Sequence, residues 1–153
     1  MAAIGRIAQA VAAAALLLAS FAQAQAPFEP VTDEMIQRPD PKDWLSWRRT
    51  LDSWGYSPLD QINTANVDQL RMVWVRPLDA GHQEGTPLVH NGVMYFPGPS
   101  DVITALDAAS GDVLWIHRRE LPKDVAEYLS FPDTNRNLAI YGDLIIARGT
   151  ASS

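Results

Sequence analysis

The sequence predicts an all-β chain of incomplete propeller blades behind an irregular lead-in. Three observations carry that expectation. Short β-type apolar runs separated by turn residues fill the chain from residue 71 onward. Asn91-Gly92 falls between two of those runs, and a type I′ hairpin turn favours that dipeptide because both of its central residues take positive φ. Finally, the chain repeats itself. Residues 88–96 overlay on 138–146 with Gly92 on Gly142, and residues 73–76 overlay on 114–117 with Trp74 on Trp115. Repeats of about 40–50 residues with four strands each are the mark of propeller blades.

Residues 1–24 read as a signal peptide, with Arg6 as the positive start and 7–22 as an apolar run. Ala22-Gln23-Ala24 supplies the small residues a signal peptidase needs, so the mature chain is expected to begin at Gln25. A run of that length is short for a span, which takes about 20 residues. Export with cleavage, and hence a periplasmic location, is the expectation.

Residues 25–70 form the lead-in. Four prolines among polar residues make 25–41 extended, with one helical turn over 32–37 that Thr32 can cap. The Trp- and Arg-rich stretch 43–51 suits a short helix or a packed irregular segment. Residues 56–59 are turn-like, and 63–70 hold one or two helical turns capped by Asn63 or Thr64. Strands are expected at 72–76, 86–90, 93–96, 102–106, 113–117, 138–140 and 144–147. Residues 71–153 would then supply the last strand of one blade, one full blade and about half of another. A propeller closes with about 4–8 blades, so the chain is expected to be part of a longer protein.

The 153 residues carry a formal net charge of −6, which argues against nucleic acid as a partner because phosphate backbones require clustered Lys and Arg. Arg48-Arg49 and Arg118-Arg119 are flanked by acids and read as solvated surface charge. With no cysteine, thiolate metal sites, a CxxCH haem attachment, disulfides and a lipid-modified N-terminal Cys are all excluded. His82, His90 and His117 lack metal-ligand spacing and read as surface or loop residues. Five Trp in a chain of this length suggest several packing junctions.

The segment Ala105-Leu106-Asp107-Ala108-Ala109-Ser110-Gly111-Asp112-Val113-Leu114-Trp115 resembles the tryptophan-docking motif of pyrroloquinoline quinone (PQQ)-dependent dehydrogenases, A-x-D-x-x-[TS]-G-x-x-x-W. The side chains suit that turn. Asp107 and Ser110 can bond nearby backbone, Gly111 supplies positive φ, and Trp115 then lies between neighbouring blades. Tyr56-Ser57-Pro58-Leu59-Asp60-Gln61-Ile62-Asn63 is similar to the segment that leads into the first blades of that family. The resemblance covers about 43–147, and implies an eight-bladed quinoprotein propeller of which this chain supplies about one and a half blades.

From spacing alone, Glu84 reads as a solvated loop carboxylate and Arg136 as a surface arginine near Asp133. The resemblance implies more. Glu84 matches the family glutamate that contacts the quinone, and Arg136 in Asn135-Arg136 matches the arginine that binds a PQQ carboxylate, through the parallel bonds a planar guanidinium offers. Asn135 would stabilise the turn that presents it. Many family members carry adjacent cysteines where this chain has Ser130 and Phe131, which leaves the substrate open between alcohols and sugars. The resemblance further implies hydride transfer from a small alcohol or sugar to PQQ, with electrons leaving to a cytochrome or quinone acceptor. It also implies a Ca²⁺ or lanthanide ion whose ligands, like the catalytic base, come from later blades. No catalytic or metal-ligating residue is assigned here, and 1–153 alone is expected to be inactive. The alternative is a non-catalytic periplasmic propeller that binds protein partners; such binders are typically lipoproteins, and the lack of Cys weighs against it.

Overall fold

The computed structural model describes residues 28–120, 123–128 and 134–147. The expected signal peptide at 1–24, the substituted pair Ser130 and Phe131, and the tail 148–153 lie outside the described residues. The helix Asp33–Gln37 starts where Thr32 was expected to cap, and Thr32 Oγ1 accepts from the Met35 amide at 3.3 Å. In 63–70 the helical turn shrinks to the 3₁₀ segment Val67–Gln69, because the Asn63 and Asn66 side chains bond the backbone locally instead of capping an α-helix. Residues 43–51 are irregular and packed, with Leu45 buried.

Four antiparallel strands follow in meander order: β1 (Leu88–His90), β2 (Val93–Gly98), β3 (Val102–Asp107) and β4 (Val113–Arg118). A second sheet pairs β5 (Leu138–Tyr141) with β6 (Leu144–Ala147). The β1–β2 hairpin turns through Asn91 at φ 49° and Gly92 at φ 77°, the two positive values that the Asn-Gly pair predicts. One four-stranded blade and half of the next are therefore present, as expected.

Residues 72–76 depart from expectation, since they form no strand. They lie beside the blade, Trp74 and Arg76 lining a groove against its sheet, with Val73 and Val75 largely exposed. Among the described residues their β propensity finds no backbone to pair with, and pairing stabilises a strand more than propensity does.

Strand alternation gives the four-stranded sheet two apolar faces. Leu88, Tyr95 and Ala105 share one face, the registers being Leu88↔Tyr95 and Tyr95↔Ala105. This face packs with Ile103, Leu138 and Ile140, and with Val31 and Leu45 of the lead-in, to form the core. At about 1.5–3 kcal/mol for each large apolar side chain fully buried, that junction is the main hold between the sheets. The opposite face, with Met94, Phe96, Thr104, Leu106 and Ile116, lines a groove of about 480 Å³ against Trp74 and Leu78.

The lead-in is stitched to both sheets. Trp44 bridges Val89, and Val31 bridges Gly142. Here two sequence readings are corrected. His90 is buried, 1 % exposed, with Nδ1 on Asp43 Oδ2 and Nε2 on the Glu29 carbonyl, both at 2.8 Å. Arg49 is also buried, its Nη2 donating to the Pro39 and Asp40 carbonyls. Both are drawn inward by acceptors that the folded lead-in presents, the Asp43 carboxylate and the Glu29, Pro39 and Asp40 carbonyls, which the flanking sequence does not reveal.

Candidate cofactor site

Glu84 and Arg136 each stand just before the first strand of their sheet, and β1 and β5 are edge strands that contact one another. The meeting of those edges brings the two side chains together across 52 residues of chain, with Arg136 Nε on Glu84 Oε2 at 2.5 Å. The backbone follows suit, since the Thr86 amide donates to the Arg136 carbonyl at 3.2 Å. Both side chains are half-exposed, so the pair lies at a rim rather than in the core.

Gly85 explains how the Glu84 loop gets so close to the sheet. A Cβ there would meet the Pro97 carbonyl oxygen and ring, so backbone packs on backbone where a side chain would intrude. Gln83 Nε2 adds a bond to the Pro97 carbonyl at 3.2 Å. On the other side, Asn135 is buried and its Nδ2 donates to Asp101 Oδ1 at 3.0 Å, while Asp101 Oδ2 receives Arg119 Nη2 at 2.6 Å. Arg119 is thus ion-paired and two-thirds buried, as the reading of Arg118-Arg119 as solvated charge did not foresee. Gln83 and Asp101 had no signal in the sequence, since their importance follows from contacts 14 and 34 residues away.

The docking turn takes the form its residues predict. Asp107 Oδ1 accepts from the Ala109 and Ser110 amides at 2.9 and 2.8 Å, Ser110 Oγ bonds Asp112, and Gly111 has φ 75°. Those bonds to Ser110 and Ala109 hold the Asp107 carboxyl below the usual carboxylate range. Trp115 lies in register with Ala105, 6.0 Å from the Tyr95 ring, and lines a groove shared with Ile145 and Ala147 of the second sheet. Burial raises the Tyr95 hydroxyl above its ordinary pKa. The indole seated on Gly111 itself belongs to Trp74, whose Nε1 donates to the Ala108 carbonyl at 3.2 Å.

Arg136 uses Nε on Glu84, and its terminal nitrogens make no hydrogen bond among the described residues. The buried Thr134 hydroxyl likewise has no partner among them. These are donors, as a carboxylate-bearing ligand requires. Among the described residues, no three His, Asp or Glu side chains are grouped so as to hold a metal ion.

A blade sheet with an Asp-Ser-Gly docking turn, followed by the start of a second blade and an ion-paired glutamate and arginine where the two meet, fits a propeller of the quinoprotein class. The PQQ family described as glucose/ethanol/alcohol dehydrogenase, beta-propeller domain, matches residues 44–143, and the chain belongs to that family. It is 48 % identical over 88 residues to the dehydrogenase subunit of alcohol dehydrogenase (quinone) from Gluconobacter oxydans strain 621H, covering 57 % of this chain and 12 % of that protein. Among solved structures, quinohemoprotein alcohol dehydrogenase ADHIIG from Pseudomonas putida HK5 superposes with a TM-score of 0.69 at 35 % identity, over 76 % of this chain and 17 % of that one. A europium-containing methanol dehydrogenase gives 0.66 at 28 % identity, over 74 % and 21 %. The chain therefore spans less than a quarter of the length of each of these relatives.

Proposed function

We propose that this chain supplies part of the cofactor rim of a periplasmic PQQ-dependent dehydrogenase, with Glu84 and Arg136 as its PQQ contacts and an alcohol or sugar hydroxyl as substrate. The observation that carries the reading is the convergence of Glu84 and Arg136 from two sheets, with the guanidinium's terminal nitrogens making no hydrogen bond among the described residues. Such a fork suits one of the three carboxylates of PQQ, and Glu84 orients the guanidinium through Nε. When bound, that cofactor supplies a hydride acceptor for oxidation of a hydroxyl. The periplasmic location rests on the export signal read in residues 1–24. A quinone acceptor and a lanthanide metal are in keeping with the named relatives, and a cytochrome acceptor with the 1-butanol dehydrogenase (cytochrome c) of Thauera butanivorans, 38 % identical over 87 residues; Ca²⁺ is the alternative metal that the sequence resemblance implies.

The test is titration of PQQ into the full chain, followed by quenching of tryptophan fluorescence. Arg136→Ala is expected to weaken binding at least tenfold, and unchanged affinity would overturn the assignment. The same chain reconstituted with PQQ and Ca²⁺ should show no dye-linked alcohol oxidation, because the family's base and metal ligands are expected from later blades. Turnover would contradict that division of labour.

A further inference from the structure

We propose that Asp101 is a positioning residue for the rim. Through Asn135 it holds Arg136 where the guanidinium can receive a carboxylate, a role that rests on the PQQ reading above. Asp101 does not touch Arg136. It ends the short 3₁₀ turn Pro99–Asp101 between β2 and β3, where Ser100 and Asp101 both take left-handed backbone, at φ 56° and 58°. Residues with a Cβ adopt that conformation at a cost, and it persists where the surroundings hold it. What holds Asp101 is a bond on each carboxylate oxygen, Arg119 Nη2 on Oδ2 and Asn135 Nδ2 on Oδ1.

Glu84 holds the guanidinium less firmly than Asp101 holds the residue before it. The Glu84–Arg136 pair is half-exposed on both sides, and a solvated ion pair of that kind fixes a flexible side chain weakly. The Asn135–Asp101 bond is different, because Asn135 is 6 % exposed and the Asp101 side chain only 11 %. A hydrogen bond to a charged group out of water is among the stronger ones, and a partner lost there is not replaced by solvent. Asn135 Oδ1 has no partner among the described residues, so Asp101 is the one described anchor of that amide. The residue after it carries the guanidinium. Arg119, just after β4, thus bears on the segment leading into β5 through one carboxylate.

A double-mutant cycle on the full chain tests this, with PQQ as the probe. Asp101→Ala should weaken PQQ binding about tenfold, within the range of coupled neighbours. Asp101→Asn keeps an acceptor oxygen and tolerates left-handed backbone, and should restore affinity to within about threefold. In an Arg136→Ala background, Asp101→Ala should add nothing, since its effect passes through that arginine. A full additional loss in that background, or wild-type affinity in Asp101→Ala, overturns the proposal. The Arg136 Nε–H resonance without PQQ gives a separate reading, and is expected to shift and broaden in Asp101→Ala but not in Asp101→Asn. If Arg136→Ala leaves PQQ affinity unchanged, the cofactor reading fails and this resonance alone decides for or against the anchor. Should Asp101→Ala not fold, Asn135→Ala takes its place in the same cycle with the same expectations.

Discussion

Trp74 stands against Gly111 so closely that a Cβ on the glycine would lie 2.6 Å from indole Cδ2 and 2.7 Å from Cε3. Two requirements meet at one residue, positive φ to close the turn and a bare Cα for the indole to rest on. Sequence repetition places Trp74 and Trp115 at equivalent positions. Trp74 therefore joins the 72–76 segment to this blade, and Trp115 faces the groove toward the next sheet.

Gly111→Ala adds a side chain at φ 75° and pushes it into an aromatic ring. Backbone strain of about 1–2 kcal/mol and overpacking of about 1–3 kcal/mol should together lower stability by about 2–5 kcal/mol in urea unfolding. Trp74→Ala should remove most of the overpacking component, so the double variant should fall well short of the sum of the two losses. Full additivity would show that the two residues are not in contact.

The buried pair Asp43 and His90 joins chain positions 47 apart. Replacing His90 with Leu would leave the Asp43 carboxylate and the Glu29 carbonyl without that partner, and breaking a buried pair costs about 3–5 kcal/mol. Chemical unfolding should show a loss of that order, with faster amide exchange at Asn91, whose N–H bonds Asp43 Oδ1. Wild-type stability would mean the lead-in is held by its other contacts alone.

Glu84→Gln separates stability from binding. The pair it breaks is solvent-accessible on both sides, so unfolding free energy should change by less than about 1 kcal/mol. PQQ affinity measured by fluorescence should nonetheless shift several-fold. A large stability loss with no change in affinity would make Glu84 a structural residue.

Acid should loosen the docking turn. The Ser110 and Ala109 amides bond the ionised Asp107 carboxylate and lower its pKa below the ordinary 3.8. The folded state therefore binds the proton more weakly than the unfolded state does. Stability from this group is present above that ordinary value and is lost as pH falls through the lower folded value. Between about pH 4 and the onset of acid unfolding, exchange at the Ala109 and Ser110 amides should rise in the wild type. Asp107→Asn should flatten that component, and an identical profile in both chains would assign the acid sensitivity elsewhere.

Much of the blade was legible because its signals are local. Asn91-Gly92 demanded a hairpin, Asp107 through Gly111 carried the whole chemistry of a turn, and the period-2 runs marked β1 to β6 to within two residues. The 72–76 run misled for a physical reason. Its composition suits a strand, but strands are stabilised by partners and none of the described residues pairs with it. His90 and Arg49 misled in the opposite direction, since polar side chains were read as solvated when acceptors enclose them, from the remote Glu29 and Asp43 for His90 and from the folded-back Pro39 and Asp40 carbonyls for Arg49.

The sequence by itself determined the turns, the blade repeat and the presence of a glutamate and an arginine ahead of successive first strands, because each of these depends on residues close along the chain. Only the tertiary structure decided that Glu84 and Arg136 meet, that Asp101 reaches Asn135, and that Asp43 closes on His90. Those contacts span 34 to 52 residues, and they exist because two apolar sheet faces and the lead-in bury one another and bring otherwise remote loops to a common edge.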